Sequence, residues 1–312
     1  MTPRIPQGCP SLEPCDSLYL SPHPHDVPMS CSARLLAERS RGERVLVVTL
    51  FAPPAGGARS DADRWVARLR DVGVQRCSLD LPDARTRNPR YRSFGLLATG
   101  WDAVDQECLA QAVRLLSDLG PRSRARQVYI PLALGGHVDH RLACEAGRAA
   151  FQGGLGRNLF LYEERPEALV SGAVRMRLGQ MGARLPPAAA NAAACTGLAR
   201  FLLRFHLGPS FRGDLGGFGD RLRATATAVR QWRVGRVWQP LKALGPRLQP
   251  VLEAAPTDAL PAIRGLAATR APHEALATRY AKQLGARGHA ERYWLLLPSR
   301  DGDAAEALPA EI

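Results

Sequence analysis

Along its first half the chain alternates short apolar runs, often β-branched, with longer stretches in which apolar positions recur every three or four residues. Runs of four to eight apolar residues suit strands, and a 3.6-residue period suits amphipathic helices. The pattern predicts strands at residues 17–21, 44–51, 75–81, 127–132 and 158–162, and helices at 29–41, 61–72, 102–119 and 141–151. Gly42 and Gly73 stand where two of those helices should stop, and the Pro and Gly pairs within residues 52–60 predict a loop. The 44–51 run lacks polar alternation, as expected of a strand buried on both faces. Strands and helices taking turns in this way imply a Rossmann-like α/β domain with three layers and a mostly parallel sheet.

Beyond residue 168 the alternation gives way to helical segments punctuated by Pro and Gly. Residues 17–167 are therefore expected to form the core. Residues 168–298 are expected to form a helical C-terminal elaboration, with a last strand near 292–297 that completes the same domain. Residues 299–312 read as a loose tail. A basic stretch at 221–247 carries Trp232 and Trp238. It is read as a solvated helical face with two buried tryptophans in preference to a carbohydrate platform or a membrane-facing surface.

Composition narrows the classes. A chain of 312 residues with 46% hydrophobic residues can bury a sizeable core, which excludes wholesale disorder. The formal net charge of +13 would suit a polyanionic partner, but only Lys242 and Lys282 are lysines and the remaining basic residues are arginines in an Ala-, Gly-, Pro- and Leu-rich background. That is a compositional bias without a nucleic-acid-binding motif, so nucleic acid is not an expected partner. The seven cysteines are scattered and show no zinc-finger spacing, so they read as reduced thiols of a cytoplasmic protein. No secretory leader is visible at the N-terminus and no apolar run reaches the ~18 residues of a membrane span, so a soluble protein without a transmembrane segment is expected.

Four of the seven histidines fall in two tight clusters, His23 and His25 within SPHPHD and His137 and His140 within GGHVDH. Each cluster follows a predicted strand, so both belong at the carboxyl edge of a parallel sheet, where open α/β folds bind their ligands. Imidazole and carboxylate suit Zn²⁺, and His23, Asp26 and His140 could supply the three protein ligands that a catalytic zinc site typically has. The expected position is at the carboxyl ends of the first and fourth strands.

At these residues the chain resembles the PIG-L/LmbE deacetylases. The resemblance rests on HPHD, VLVVTLFA and GGHVDHR, with further likeness in LDLPDA, LFLYEERP and AERYW. It covers the first half well and residues 168–284 poorly. It implies Zn²⁺ held by His23, Asp26 and His140, and hydrolysis of the acetamide of a glucosamine-type sugar or its conjugate, a small-molecule substrate. In the family a carboxylate immediately before the Asp ligand removes a proton from the attacking water. Here that position is His25. Three readings follow: His25 acts as the base, His25 joins the metal as a fourth ligand, or the chain is a catalytically inactive metal- or glycan-binding relative. A basic protein recruited to anionic partners is a further alternative.

His137 is placed to donate to an oxyanion or to protonate the departing amine, and Asp139 to orient a neighbouring imidazole. Asp80 and Asp83 are candidates for contacts to sugar hydroxyls, although Asp83 after Pro82 also suits an ordinary turn. Gly56 and Gly57 lack the Lys-Ser/Thr of a phosphate loop. Cys31, near the first motif, reads as a core residue.

Overall fold

A computed structural model describes residues 12–52, 57–92, 96–97, 100–151, 157–169, 173–181, 247–255, 257–267 and 271–297. The chain enters on β1 (Ser17–Ser21), whose five residues are all buried. It continues through the short helix α1 (Asp26–Ser30), α2 (Ser32–Ser40), β2 (Val45–Ala52), α3 (Gly57–Asp71), β3 (Gln75–Pro82), α4 (Ala84–Arg87), α5 (Ala103–Ser123), β4 (Gln127–Pro131), α6 (Val138–Phe151) and β5 (Asn158–Tyr162). Then come α7 (Ala173–Gln180), β6 (Arg247–Ala255), α8 (Leu260–Ala267), α9 (Ala271–Gln283) and β7 (His289–Leu297).

The sheet order is β3-β2-β1-β4-β5-β7-β6. β1 pairs in parallel with both β2 and β4, and β2–β3 and β4–β5 are parallel too, whereas β7 runs antiparallel to β5 and β6. The order therefore reverses between β1 and β4. The carboxyl ends of those two strands flank the crevice where doubly wound sheets bind ligands.

Side-chain alternation gives the strands two buried faces. Leu18 and Leu20 of β1, Leu46 and Val48 of β2, Val128 and Ile130 of β4, and Leu159 and Leu161 of β5 pack with Leu116 of α5 and Leu142 of α6. The opposite face carries Tyr19, Val47, Tyr129 and Phe160 against Leu35 of α2, Leu69 of α3 and Leu266 of α8. The result is the expected three-layer α/β arrangement. Tyr19, Tyr129 and Phe160 stack in sequence across three adjacent strands, with ring centroids 4.3 and 4.9 Å apart. Gly147 lets α6 lie close on the sheet, because a Cβ there would fall 2.6 Å from Ile130 Cγ2 and 3.0 Å from Leu20 Cδ2.

β1 and β5 have the expected bounds, and β2, β3 and β4 lie within one residue of theirs. Other elements differ. The single helix expected at 29–41 is two, α1 and α2, meeting at Cys31 with φ −126°. The second starts afresh because the Glu291 carboxylate, from β7, accepts the N–H groups of Ala33 and Arg34 at 2.8 and 3.0 Å. α3 starts at Gly57, inside the expected loop, and α5 runs on to Ser123 through Pro121. α6 begins at Val138, three residues earlier than its pattern implied, which brings Asp139 and His140 into its first turn.

The second half is not only helical before its last strand: β6 is a further strand, and β7 starts at His289. β6 was hidden because Pro250 interrupts it and it pairs on one side only, with β7, the edge position in which Pro is tolerated. The basic stretch at 221–247 is described only at its last residue, and Trp232, Trp238 and the 299–312 tail lie outside the described residues. Cys77 is disulfide-bonded, which corrects the expectation of seven reduced thiols; Cys15, Cys31, Cys108 and Cys144 are free and buried, Cys31 within the core as expected. No helix among the described residues is long and apolar enough to cross a membrane.

Candidate metal centre

At the end of β1 the chain turns sharply. Ser21 Oγ accepts from the Val27 N–H, and the Asp26 carboxylate Oδ2 accepts from the His23 N–H at 2.7 Å, which folds residues 21–27 into a loop over the sheet edge. At the end of β4, Ala133, Gly135 and Gly136 all take positive φ. Gly135 does so against the Glu167 side chain, whose Cγ would lie 2.8 Å from an added Cβ, so this position admits no side chain. His137 follows, and then α6 carries Asp139 and His140.

The two loops meet. His23 Nδ1 and His140 Nε2 lie 3.3 and 3.5 Å from the same atom, Asp26 Oδ2. The remaining nitrogen of each ring is held from behind by a buried carboxylate: His23 Nε2 donates to Asp139 Oδ2 at 3.1 Å, and His140 Nδ1 donates to Glu164 Oε1 at 3.3 Å. Glu164 in turn accepts the N–H groups of Ala133 and Leu134 at 2.7 and 3.2 Å. Carboxylate–imidazole pairs of this kind fix the tautomer and orientation of metal-ligating histidines.

Among the described residues two overlapping sets bring ligand atoms within 4.8 Å of one another, His23 with His137 and Asp139, and His23 with Asp26 and His140. The first is committed elsewhere. Asp139 Oδ1 accepts from Arg87 Nη2 at 2.9 Å, while its Oδ2 accepts from the Ala84 N–H at 3.0 Å and from His23. His137 Nδ1 accepts from the Asp139 N–H at 3.1 Å. The second set, two imidazole nitrogens and one carboxylate oxygen, matches the donor chemistry of a three-ligand zinc site.

The electrostatics follow from these contacts. Burial opposes a charge on His23, but the Asp139 and Asp26 carboxylates outweigh it and raise its pKa to about 10. His140 is raised in the same way, burial being overcome by Asp26 and Glu164. Against its own burial, Asp26 is held well below the usual carboxylate range by His140, His25 and His23. His137 is pushed far down by burial.

His25 is also lowered, because the surrounding protein withholds water from it, although Asp26 partly offsets this. Its Nε2 lies 3.3 Å from Asp26 Oδ1, the oxygen that does not face the other two rings, and its side chain is 46% exposed. The Trp65 ring centroid is 6.4 Å away. His25 belongs to neither ligand set.

Asp83 caps α4, accepting from the Thr86 N–H at 2.8 Å, and its neighbour Ala84 reaches Asp139. Asp80 is exposed, has φ 51° and accepts from Ser78 Oγ at 2.6 Å. The histidine cluster thus gathers His23, His25, Asp26, His137, Asp139 and His140, with Asp83 on the adjoining loop after β3, tied to it through Ala84, and Asp80 within β3. Sequence reasoning missed Glu164, Arg87 and Glu167. The only available signal was the Glu163–Glu164 pair directly after a strand. The Glu167 carboxyl is raised to about 7 by burial, against the pull of His140.

No family model matches the chain. It is 33% identical over 171 residues, 49% of this chain and 57% of the relative, to 2'-N-acetylparomamine deacetylase of Streptomyces fradiae. The aligned stretch thus spans little more than half of that relative. Among solved structures, the A40926 pseudoaglycone deacetylase superposes with a TM-score of 0.54 at 17% identity, covering 92% of this chain and 99% of that one. The zinc-inhibited form of teicoplanin deacetylase gives 0.54 at 15%, covering 91% and 99%. Together with the motifs at His23–Asp26 and His137–His140, these likenesses show that the chain shares the fold of the PIG-L/LmbE deacetylases.

Proposed function

We propose that the chain is a zinc-dependent hydrolase that removes the N-acetyl group of an amino sugar or amino-sugar conjugate. The observation that carries this reading is the convergence of His23 Nδ1, His140 Nε2 and Asp26 Oδ2, with each imidazole backed by a buried carboxylate. Two nitrogens and one oxygen suit Zn²⁺ and leave a fourth position for the reacting groups. When bound, the metal would supply Lewis acidity toward the acyl carbonyl and lower the pKa of a water to about 7. The likeness to a deacetylase of an N-acetylated amino sugar supports amide hydrolysis.

The chain's own residues divide the remaining work. His25, whose pKa burial lowers and whose Nε2 lies 3.3 Å from Asp26 Oδ1, takes the proton of the attacking water as a neutral imidazole. Asp26 then stabilises the imidazolium. His137 accepts a backbone N–H at Nδ1, so its single proton sits on Nε2, where it can donate to the oxygen that gains charge as water adds to the acetyl carbon. Collapse breaks the C–N bond, the proton held by His25 passes to the leaving nitrogen, and acetate and the free amine are released. Asp80 and Asp83, at the end of β3, are proposed to meet hydroxyls of the sugar.

The test compares His25→Ala and His25→Asp with the wild type on a panel of N-acetylglucosamine conjugates, after stoichiometric loading with zinc. Excess metal is avoided because a deacetylase of this fold exists in a zinc-inhibited form. Loss of acetate release in His25→Ala with retention in His25→Asp supports the reading. A wild type that binds zinc yet turns over nothing, with activity arising only in His25→Asp, would mark a chain that keeps the site without the chemistry.

A further inference from the structure

Arg87 reads in the sequence as one more arginine among 42 basic residues, in the polar stretch after β3. In the structure it ends α4, its side chain is 2% exposed, and its guanidinium binds three elements at once. Nε donates to Asp105 Oδ1 of α5 at 2.7 Å, Nη2 to Asp139 Oδ1 of α6 at 2.9 Å, and Nη1 to the Pro82 carbonyl at the end of β3 at 2.8 Å. Its centre stands 5.5 Å from the Phe51 ring centroid. Asp105 is fixed in turn, accepting at Oδ2 from the Asp102 N–H at 2.8 Å and from the Tyr91 hydroxyl.

We propose that Arg87 is a positioning residue of the metal centre, which locks the Asp139 carboxylate against His23 and so sets the affinity of the His23, Asp26 and His140 site for zinc. The inference rests on the zinc reading above and extends it beyond the ligands and their direct partners.

Asp139 orients His23 only while its Oδ2 points at Nε2, and the hydrogen bond from Arg87 to Oδ1 removes the carboxylate's freedom to rotate. Two buried carboxylates, Asp105 and Asp139, share this guanidinium, so without it Asp105 loses its cation and Asp139 keeps only the contacts at Oδ2, with nothing to hold Oδ1. Only a planar fork reaches Asp105, Asp139 and the Pro82 carbonyl together; a lysine is a point charge that can satisfy part of this set. The Ala84 N–H adds a second bond from the same short helix to Asp139, so the loop after β3, which also carries Asp83, is tied to the metal centre.

The test uses the full chain and measures zinc affinity by chelator competition, the visible spectrum of the cobalt-substituted protein, and the unfolding midpoint of the metal-free protein. Arg87→Lys is expected to lower zinc affinity by about 10–100-fold, in line with other outer-shell changes, and to alter the cobalt spectrum. Asp105→Asn should produce a smaller loss in the same direction. Arg90→Ala, which removes an exposed arginine paired with Asp102, should leave affinity and spectrum unchanged. Wild-type affinity and spectrum in a folded Arg87→Lys overturn the proposal. If that variant does not fold, wild-type affinity in Asp105→Asn overturns it instead. A wild-type chain that takes up neither zinc nor cobalt overturns the zinc reading itself, a result distinct from either of these.

Discussion

His23 Nε2 lies 3.1 Å from Asp139 Oδ2, a contact between residues 116 positions apart that joins the first histidine motif to the second. The aspartate presents its other oxygen to Arg87, so a single carboxylate fixes the His23 ring on one side and is itself fixed on the other. Asp139→Asn retains the shape but sets an amide where the ring and the guanidinium both donate. At saturating zinc its acetate release should fall at least about tenfold, as for other losses of a ligand-orienting carboxylate. Its unfolding free energy should fall by about 3 kcal/mol, because the buried Arg87 loses half of its compensation. Steady-state kinetics and denaturant unfolding check the two outcomes; unchanged values in both would show that the contact orients nothing.

Close packing of α6 on the sheet is the second requirement for the site. Gly147→Ala places a methyl group 2.6 Å from Ile130 Cγ2, so the helix has to lift or the sheet side chains have to leave their rotamers. A loss of about 1–3 kcal/mol is expected for overpacking of this kind. The same helix carries Asp139 and His140, so zinc affinity should fall with stability. Chelator competition on the folded fraction separates the effects, and a variant with reduced stability and unaltered affinity would mean that the helix start is held independently of its middle.

Glu291 supplies a pH-dependent prediction away from the histidine cluster of the two motifs. Burial opposes its charge, but His289, Arg165 and the Ala33 N–H together hold its pKa below the ordinary value of 4.5. A carboxylate whose folded pKa is depressed contributes stability that is complete above the unfolded value and is lost as pH falls through the folded one. Glu291→Gln should therefore lower stability at pH 7, by about 2–3 kcal/mol for a buried charged hydrogen-bond acceptor, and by less at pH 3. Unfolding curves at the two pH values decide. An equal loss at both would assign the effect to shape and not to ionisation.

The parts of this molecule legible in the sequence are those encoded locally. β1 is legible because Leu18, Tyr19 and Leu20 form a short apolar run followed by a turn, and the alternation that locates β1 and β4 sets the histidine motifs at strand ends. His23, Asp26 and His140 are legible as a candidate trio, but the reason they hold together is not. Glu164 lies 24 residues from His140, Arg87 lies 52 from Asp139, and Glu291 lies 258 from Ala33. A buried glutamate or arginine has the same local signature as a solvated one, so its partner is visible only once the chain has folded.

The break at Cys31 escaped for this reason, since the carboxylate that starts α2 comes from β7. β6 escaped for the opposite reason: its local sequence argues against a strand, and pairing with β7 overrides it. Asp83 shows how one residue type serves two ends, because a carboxylate after Pro82 suits both a sugar contact and the cap of α4 that it forms.

Zinc-dependent deacetylation is tested by measuring acetate release from a panel of N-acetylglucosamine conjugates with protein stripped by chelator and again after one equivalent of zinc is returned. No release is expected from the stripped protein, with recovery on addition of the metal. Release that persists without metal, or its absence across the panel with zinc stoichiometrically bound, would contradict it.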